Sequence, residues 1–170
     1  MRLYLVRHAI AVPRGTAGFL NDADRPLTPE GRTQARKVAR GLKRLGITVD
    51  VILTSPLVRS QETAQQISKE FGAEAALRKS EALLPDASPR ETMKAMQTYT
   101  RKEGLMAVGH EPHMTRWLTE LIAGESGFFR CVLKKGAVVC VEMEGKDFFQ
   151  GAGTLRWMLT PKQLSLIGKA

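Results

Sequence analysis

Four side chains in this sequence are of the types that phosphoryl transfer needs, and each follows an apolar run. Arg7 and His8 close Leu3-Tyr4-Leu5-Val6, Arg59 comes shortly after Val51-Ile52-Leu53, and His110 ends Leu105-Met106-Ala107-Val108-Gly109. An imidazole that titrates near neutrality is a nucleophile without a helper base, and a guanidinium offers permanently charged, planar donors matched to phosphate oxygens. Singly, these residues have plainer readings. A neutral histidine can simply end a strand, and an exposed arginine in the first turn of a helix costs only a few tenths of a kcal/mol. Where the chain places them together decides between the two.

That placement follows from the order of elements. Residues 4–6 are strand formers with no turn residue among them, the pattern of a strand buried on both faces. Residues 9–27 form a loop with Pro13, Gly15, Gly18, Asn21, Asp22, Asp24 and Pro26, long enough to wall one side of a site. Thr28-Pro29-Glu30 starts a helix with a hydroxyl cap, a first-position proline and an acid in the first turn. Ala35, Val38, Ala39, Leu42 and Leu45 follow at helical spacing, and Gly46 ends the run. Residues 49–53 read as a second strand. Thr54-Ser55-Pro56 then predicts a cap and a helix over 56–71 that turns Leu57, Ala64 and Ile67 inward and closes at Gly72. Arg59 falls in its first turn, beside the positive end of the helix dipole, so an anion nearby would account for it.

Residues 75–79 suggest a short edge strand, and 81–87 a loop holding two carboxylates, Glu81 and Asp86. Ser88-Pro89-Arg90-Glu91 is a capping box that opens a helix running to about residue 102. Residues 105–108 form the next buried strand, and Pro112 begins a helix with Trp117, Leu118, Leu121 and Ile122 toward the core. After a loop around 124–127, residues 137–143 and 153–159, joined through 144–152, read as an antiparallel hairpin at one edge. Thr160-Pro161 opens a last short helix that docks through Leu164 and Ile167. The alternation predicts an α/β fold of three layers: a mainly parallel sheet with an antiparallel edge hairpin and helices on both faces. In such sheets ligands bind outside the carboxyl ends of the strands, which is where Arg7 with His8, Arg59 and His110 all fall.

At 170 residues with 43% hydrophobic content, the chain is long enough for a proper core and suggests a single domain over 1–170. Two cysteines, Cys131 and Cys140, make neither a disulfide framework nor a metal cluster, which points to free thiols in a reducing cytoplasm. No secretory signal and no apolar run long enough to span a bilayer appear, so a soluble cytoplasmic protein without a membrane partner is expected. The net charge of +9 favours acidic partners. Much of it comes from Arg32, Arg36, Lys37, Arg40, Lys43 and Arg44, the solvated face of one helix. With 6% aromatics and no nucleic-acid-binding motif, nucleic acid is not the expected partner.

Gathered at one sheet edge, the four residues suit a tetrahedral dianion. Two guanidiniums neutralise equatorial oxygens, one histidine attacks phosphorus in line, and the other donates a hydrogen bond as charge builds. No Walker loop, dinucleotide fingerprint or helical His-Glu-x-x-His competes, and no cofactor is implied. His110 and His113, three residues apart, lack an obvious third ligand, so no metal site is expected and His113 is placed on a helix surface or pocket rim.

At these residues the sequence resembles the histidine phosphatase superfamily, also called phosphoglycerate mutase-like, and within it the small phosphohistidine phosphatases of the SixA type. The carrying segments are Leu-Tyr-Leu-Val-Arg-His at 3–8, Arg-Pro-Leu-Thr-Pro-Glu-Gly at 25–31, Leu-Thr-Ser-Pro-Leu-Val-Arg-Ser-Gln-Glu-Thr-Ala at 53–64, and Val-Gly-His-Glu-Pro at 108–112, with Leu-Arg-Trp-Met-Leu-Thr-Pro-Lys-Gln-Leu at 155–164. The resemblance implies that His8 carries the phosphoryl group and that Arg7, Arg59 and His110 make the phosphate pocket. Ala9 stands where the family usually has glycine, and would be strained if that position needs a positive φ. For ester substrates the family often uses an acid from a mid-chain loop; Glu81 is the nearest candidate, Asp86 stands behind it, and neither is fixed by a local motif.

Relatives that enclose small metabolites do so with inserted segments, for which this chain has no residues to spare. A shallow, open pocket is therefore expected, suited to a phosphohistidine on a partner protein such as a phosphotransfer domain. The labile P–N bond also asks less of a proton donor than an alkyl ester does. A small-molecule phosphomonoesterase of the same superfamily is the alternative, and a non-catalytic phosphate-binding module a third reading.

Overall fold

The apolar run that carries Arg7 and His8 lies inside a six-stranded sheet. The structure is a computed structural model that describes residues 1–124, 128–145 and 147–169. Its strands are β1 (Arg2–Arg7), β2 (Val51–Thr54), β3 (Leu77–Lys79), β4 (Gly104–Gly109), β5 (Val138–Met143) and β6 (Gly153–Leu159), in the spatial order β3-β2-β4-β1-β5-β6. The first four in that order are parallel, while β5 runs antiparallel to β1 and β6 antiparallel to β5. The expected mainly parallel sheet with an antiparallel edge hairpin is what the chain forms.

Side chains alternate between two cores. Leu3 and Leu5 point with Leu53, Leu105 and Ala107 toward α3 (Pro89–Met96) and α4 (His113–Ala123). Tyr4 and Val6 point with Ile52, Met106 and Val108 toward α1 (Pro29–Arg44), α2 (Val58–Phe71) and α5 (Pro161–Ile167). Each fully buried aliphatic side chain contributes roughly 1.5–3 kcal/mol, so β1 is anchored through both layers just before the polar pair emerges. The helix on which Arg36, Lys37, Arg40, Lys43 and Arg44 ride turns these residues to solvent, as expected. Among the described residues no helix is long and apolar enough to cross a membrane. Both cysteines are free, Cys140 buried and Cys131 half-buried.

Several boundaries differ from expectation for local reasons. α2 starts at Val58, two residues beyond Pro56, because the Ser55 hydroxyl accepts from the Leu57 N–H (3.4 Å) and closes a turn instead of capping a helix. α3 ends at Met96 and tightens into a 3-10 turn over Gln97–Tyr99, where Thr98, Tyr99 and Thr100 favour helix poorly. β2 begins at Val51, since the Asp50 carboxylate accepts from the Glu103 and Gly104 N–H groups and ties that approach to the start of β4. The edge strand is shortened to Leu77–Lys79 by a 3-10 turn over Glu74–Ala76. Of the loop around 124–127, residues 125–127 lie outside the described residues, as does 146 in the β5–β6 connection.

Candidate functional site

Backbone pairing aligns the two histidines. Arg7 lies opposite Gly109 in the β1–β4 ladder, and the His8 N–H donates to the Gly109 carbonyl (3.0 Å), so His8 and His110 leave adjacent strands in step. Their ring centroids are 5.0 Å apart, tilted by 53°. α2 is brought to the same edge by a backbone hydrogen bond and by bonds to small hydroxyl side chains. The Ser60 hydroxyl donates to the Val108 carbonyl (2.9 Å), and the Ser55 N–H donates to the same carbonyl (3.0 Å). The Thr63 hydroxyl donates to the Arg59 carbonyl (2.7 Å) and accepts from the Ala9 N–H (3.0 Å). The residue after His8 is thereby tied to the turn that carries Arg59, which explains the density of Ser and Thr in 54–63. No non-glycine residue described has a positive φ, so Ala9, fully buried, carries no strain. Gly31 of the Pro-Glu-Gly segment is required for packing, because a Cβ there would collide with the Ile10 carbonyl.

The tautomer of the His8 ring is fixed by its neighbour. Its Nδ1–H donates to the Ala9 carbonyl (2.8 Å), and since a carbonyl only accepts, the proton is on Nδ1 and the lone pair on Nε2. Burial, together with the charges of Arg59, Arg7 and Lys135, pushes the pKa of His8 down to about 3, against a smaller upward pull from the Ala9 hydrogen bond. His110 is pushed down to about 2, by burial first and then by His8 and Arg59. Both residues are buried, at 7% and 2% exposure, so the histidine pair is more enclosed than the open pocket the chain length suggested. Neither His110 ring nitrogen has a partner, and the Nε groups of Arg7 and Arg59 are likewise buried and unpaired. A buried donor without an acceptor costs about 1–3 kcal/mol, so the two Arg Nε–H groups and the one N–H of a neutral His110, left unpaired beside one another, suit a ligand rich in acceptors.

The arginines are held from behind. Arg7 Nη1 donates to the Leu133 carbonyl (2.7 Å). Arg59, 2% exposed, donates through Nη1 to the Asp22 carbonyl (2.7 Å) and through Nη2 to the Asp22 carboxylate (2.9 Å). The anion expected beside Arg59 is thus, within the protein itself, Asp22. Its other oxygen accepts from Arg14 (2.8 Å) and from Arg25 Nε and Nη2 (2.9 and 2.7 Å). Burial opposes ionisation of Asp22, but the Arg25 hydrogen bond and the Arg59 charge outweigh it and bring the pKa down to about 2. Sequence reasoning passed over Asp22 as a turn former; its spacing of three from Arg25, just ahead of Pro26, was the available signal.

Two further placements matter. His113 is fully buried, not on a helix surface or pocket rim: its Nε2 pairs with the Thr92 hydroxyl (2.8 Å) and its ring stacks on Trp117. Its neighbours in α4, Met114 and Trp117, lie in the core as well: the helix begins at His113, one residue after Pro112, and its first turn faces inward. Glu81 is exposed, opens a 3-10 turn over Glu81–Leu83, and lines a separate hollow with Asp86 and Glu91. Among the described residues no hydrogen bond or ion pair joins Glu81 or Asp86 to either active histidine ring.

Comparison with known proteins gives a consistent picture. A family model described as the histidine phosphatase superfamily, branch 1, matches residues 3–84. An uncharacterised protein of Picosynechococcus sp. is 33% identical over 144 residues, covering 81% of this chain and 83% of that protein. The phosphohistidine phosphatase SixA of Escherichia coli is 24% identical over 172 residues, covering 98% of each. The solved structure of the protein histidine phosphatase SixA complexed with tungstate superposes with a TM-score of 0.83 at 22% identity, covering 96% of this chain and 99% of that one.

Proposed function

The chain belongs to the histidine phosphatase superfamily of hydrolases, and from that premise we propose that it removes the phosphoryl group from a phosphorylated histidine on a partner protein. The observation that carries the reading is the free Nε2 of His8, fixed by the Nδ1–Ala9 bond, in a cluster with Arg7, Arg59 and His110, which keep buried nitrogens unpaired. His8 Nε2 forms a bond to phosphorus as the P–N bond to the substrate imidazole breaks, and the departing nitrogen takes a proton from water. Arg7 and Arg59 neutralise the equatorial oxygens, and a His110 N–H donates to one of them as charge builds. Water then attacks phosphorus, the P–Nε2 bond breaks, and inorganic phosphate leaves with His8 restored to its neutral form. Glu81, in a separate hollow, stands outside this route; only an ester leaving group, which needs protonation more than an imidazole does, would call on it.

The test is to mix the protein with phosphohistidine and with a histidine-phosphorylated protein, then look for a phosphoryl group on the enzyme that survives base and is lost in acid. His8→Ala is expected to abolish both the adduct and turnover. Wild-type turnover in His8→Ala would remove the nucleophile assignment. Efficient turnover of phosphomonoesters with none of phosphohistidine would instead make the protein a small-molecule phosphomonoesterase.

A further inference from the structure

The surroundings of the histidine pair differ on its two sides. On the Arg59 side the wall is charged and closed, with Asp22 accepting from Arg14, Arg25 and Arg59, and Arg25 donating onward to the Val12 carbonyl (2.5 Å). On the Arg7 side a cleft of about 530 Å³ opens between α4 and the segment 131–133, walled by Pro112, Thr115, Thr119, Cys131, Val132 and Leu133. Arg7 lines this cleft too, anchored on the Leu133 carbonyl, and its charge also acts on His8, so the cleft and the histidine pair share a guanidinium. Two carboxylates in the cleft are engaged within the fold: Glu111 accepts from the Thr115 hydroxyl (2.7 Å) and Glu120 from the Gln150 amide (3.1 Å).

Apolar surface continues outward from the cleft. Val132, which lines the cleft, is 77% exposed, and Phe128, 86% exposed, precedes Phe129, whose carbonyl accepts from the Thr119 hydroxyl of the cleft wall (3.3 Å); the Arg130 guanidinium lies 5.2 Å over the Phe128 ring. Large apolar side chains left this open beside a cleft mark an association surface more often than a chance feature of a solvated face. Around them Arg116, Arg130, Lys134 and Lys135 are exposed, and the Lys135 charge reaches His8. An apolar centre ringed by cations is complementary to a helix with an apolar stripe and flanking carboxylates.

We propose that this cleft and its basic rim seat the polypeptide bearing the phosphorylated residue, as an acidic amphipathic helix whose apolar face covers Val132 and Phe128. The inference rests on the reading that the substrate is a protein. It also assigns substrate selection to residues that take no part in the chemistry, since Val132 and Phe128 lie outside the set that holds phosphate.

The experiment compares two substrates, free phosphohistidine and an acidic, helical phosphotransfer domain phosphorylated on histidine. The enzymes are wild type, Val132→Asp, Phe128→Ser and Val132→Ile. For the phosphorylated domain, Val132→Asp and Phe128→Ser are expected to lower kcat/KM by about tenfold, mainly through KM, as loss of a central apolar contact does at interfaces. For free phosphohistidine all variants are expected to stay within about twofold of wild type, and Val132→Ile to match wild type on both substrates. Because both altered side chains are largely in solvent, an unchanged melting temperature should accompany the loss. Unchanged kcat/KM on the phosphorylated domain overturns the proposal, and so does an equal loss on both substrates, which would make the cleft a subsite for a small leaving group. Failure of the protein-substrate reading is seen separately, in wild type alone, as turnover of free phosphohistidine without turnover of the domain.

Discussion

Replacing Asp22 by alanine separates two roles that one carboxylate plays. The Arg59 guanidinium, whose side chain is 3% exposed, would keep the Asp22 main-chain carbonyl and lose its only side-chain counter-ion among the described residues. Stripping one partner from a fully buried ion pair costs about 3–5 kcal/mol. Asp22 itself is 38% exposed, so water can enter the vacated place, and the expected loss is nearer 2 kcal/mol. For a chain of this size that lowers the melting temperature by roughly 4–8 °C in phosphate-free buffer. Phosphate should reverse the loss, because its oxygens can take the donors that Asp22 gave up and no longer meet a neighbouring negative charge. Inorganic phosphate is therefore expected to bind roughly tenfold tighter to Asp22→Ala, a gain of about 1.4 kcal/mol, and to inhibit turnover correspondingly more strongly. Thermal melts across a phosphate titration read both effects, since stabilisation grows as RT ln(1 + [L]/Kd). A variant that melts with wild type without phosphate, and gains no more from phosphate than wild type, would refute the role given to Asp22.

Other perturbations follow from the same geometry. Arg59→Ala should reduce kcat/KM on phosphohistidine by roughly 10²–10³ and weaken phosphate binding, measured by steady-state kinetics and by phosphate-dependent melting. Glu81→Ala should leave phosphohistidine turnover within about twofold of wild type while lowering turnover of an alkyl phosphate, and a collapse on phosphohistidine would give Glu81 a part in the main reaction. Imidazole NMR of the free protein should show His8, His110 and His113 neutral from pH 8 down to pH 5, given values of about 3, 2 and 4. Because these folded values lie below the unfolded one, the unfolded chain takes up protons first as pH falls. Stability is then fully present above about pH 6.5 and declines below it, by at most about 2 kcal/mol per histidine at pH 5. Urea titrations at pH 7 and pH 5 measure that slope, and equal stabilities would contradict it.

The sheet, its strand order at the edge hairpin, and the meeting of Arg7, His8, Arg59 and His110 were legible in sequence because each rests on local patterns. Apolar runs of four to six residues, capping signals at Thr28, Ser88 and Thr160, and polar residues at strand ends are all short-range features. What was illegible depends on contacts between distant segments. Asp22 looks like a turn residue until the loop over 9–27 is folded back across α2, which is 37 residues away in sequence. His113 looks like a surface residue at the mouth of a helix until Thr92 supplies a partner from α3. The helix start at Val58 was misjudged because Ser55 can satisfy either a cap or a turn, and the choice is made by the Ser60 hydroxyl and the Ser55 N–H, both reaching the Val108 carbonyl.

The same positive charges act twice in this site, at different stages. In the free protein Arg59, Arg7 and Lys135, added to burial, hold His8 unprotonated, which leaves Nε2 able to attack across the physiological range. When a phosphoryl dianion enters, those charges find their counter-ion, and their effect on the imidazoles is offset by the negative charge of the group being transferred. A histidine in that complex is easier to protonate than in the free protein, which favours His110 as a hydrogen-bond donor at the moment charge accumulates on the oxygens. The arrangement works only if the cations are not neutralised beforehand by the protein. Asp22 neutralises one of them in part, leaving Arg59 Nε unpaired, so under the proposed mechanism this carboxylate is expected to set how strongly the empty site attracts phosphate and how readily the product departs.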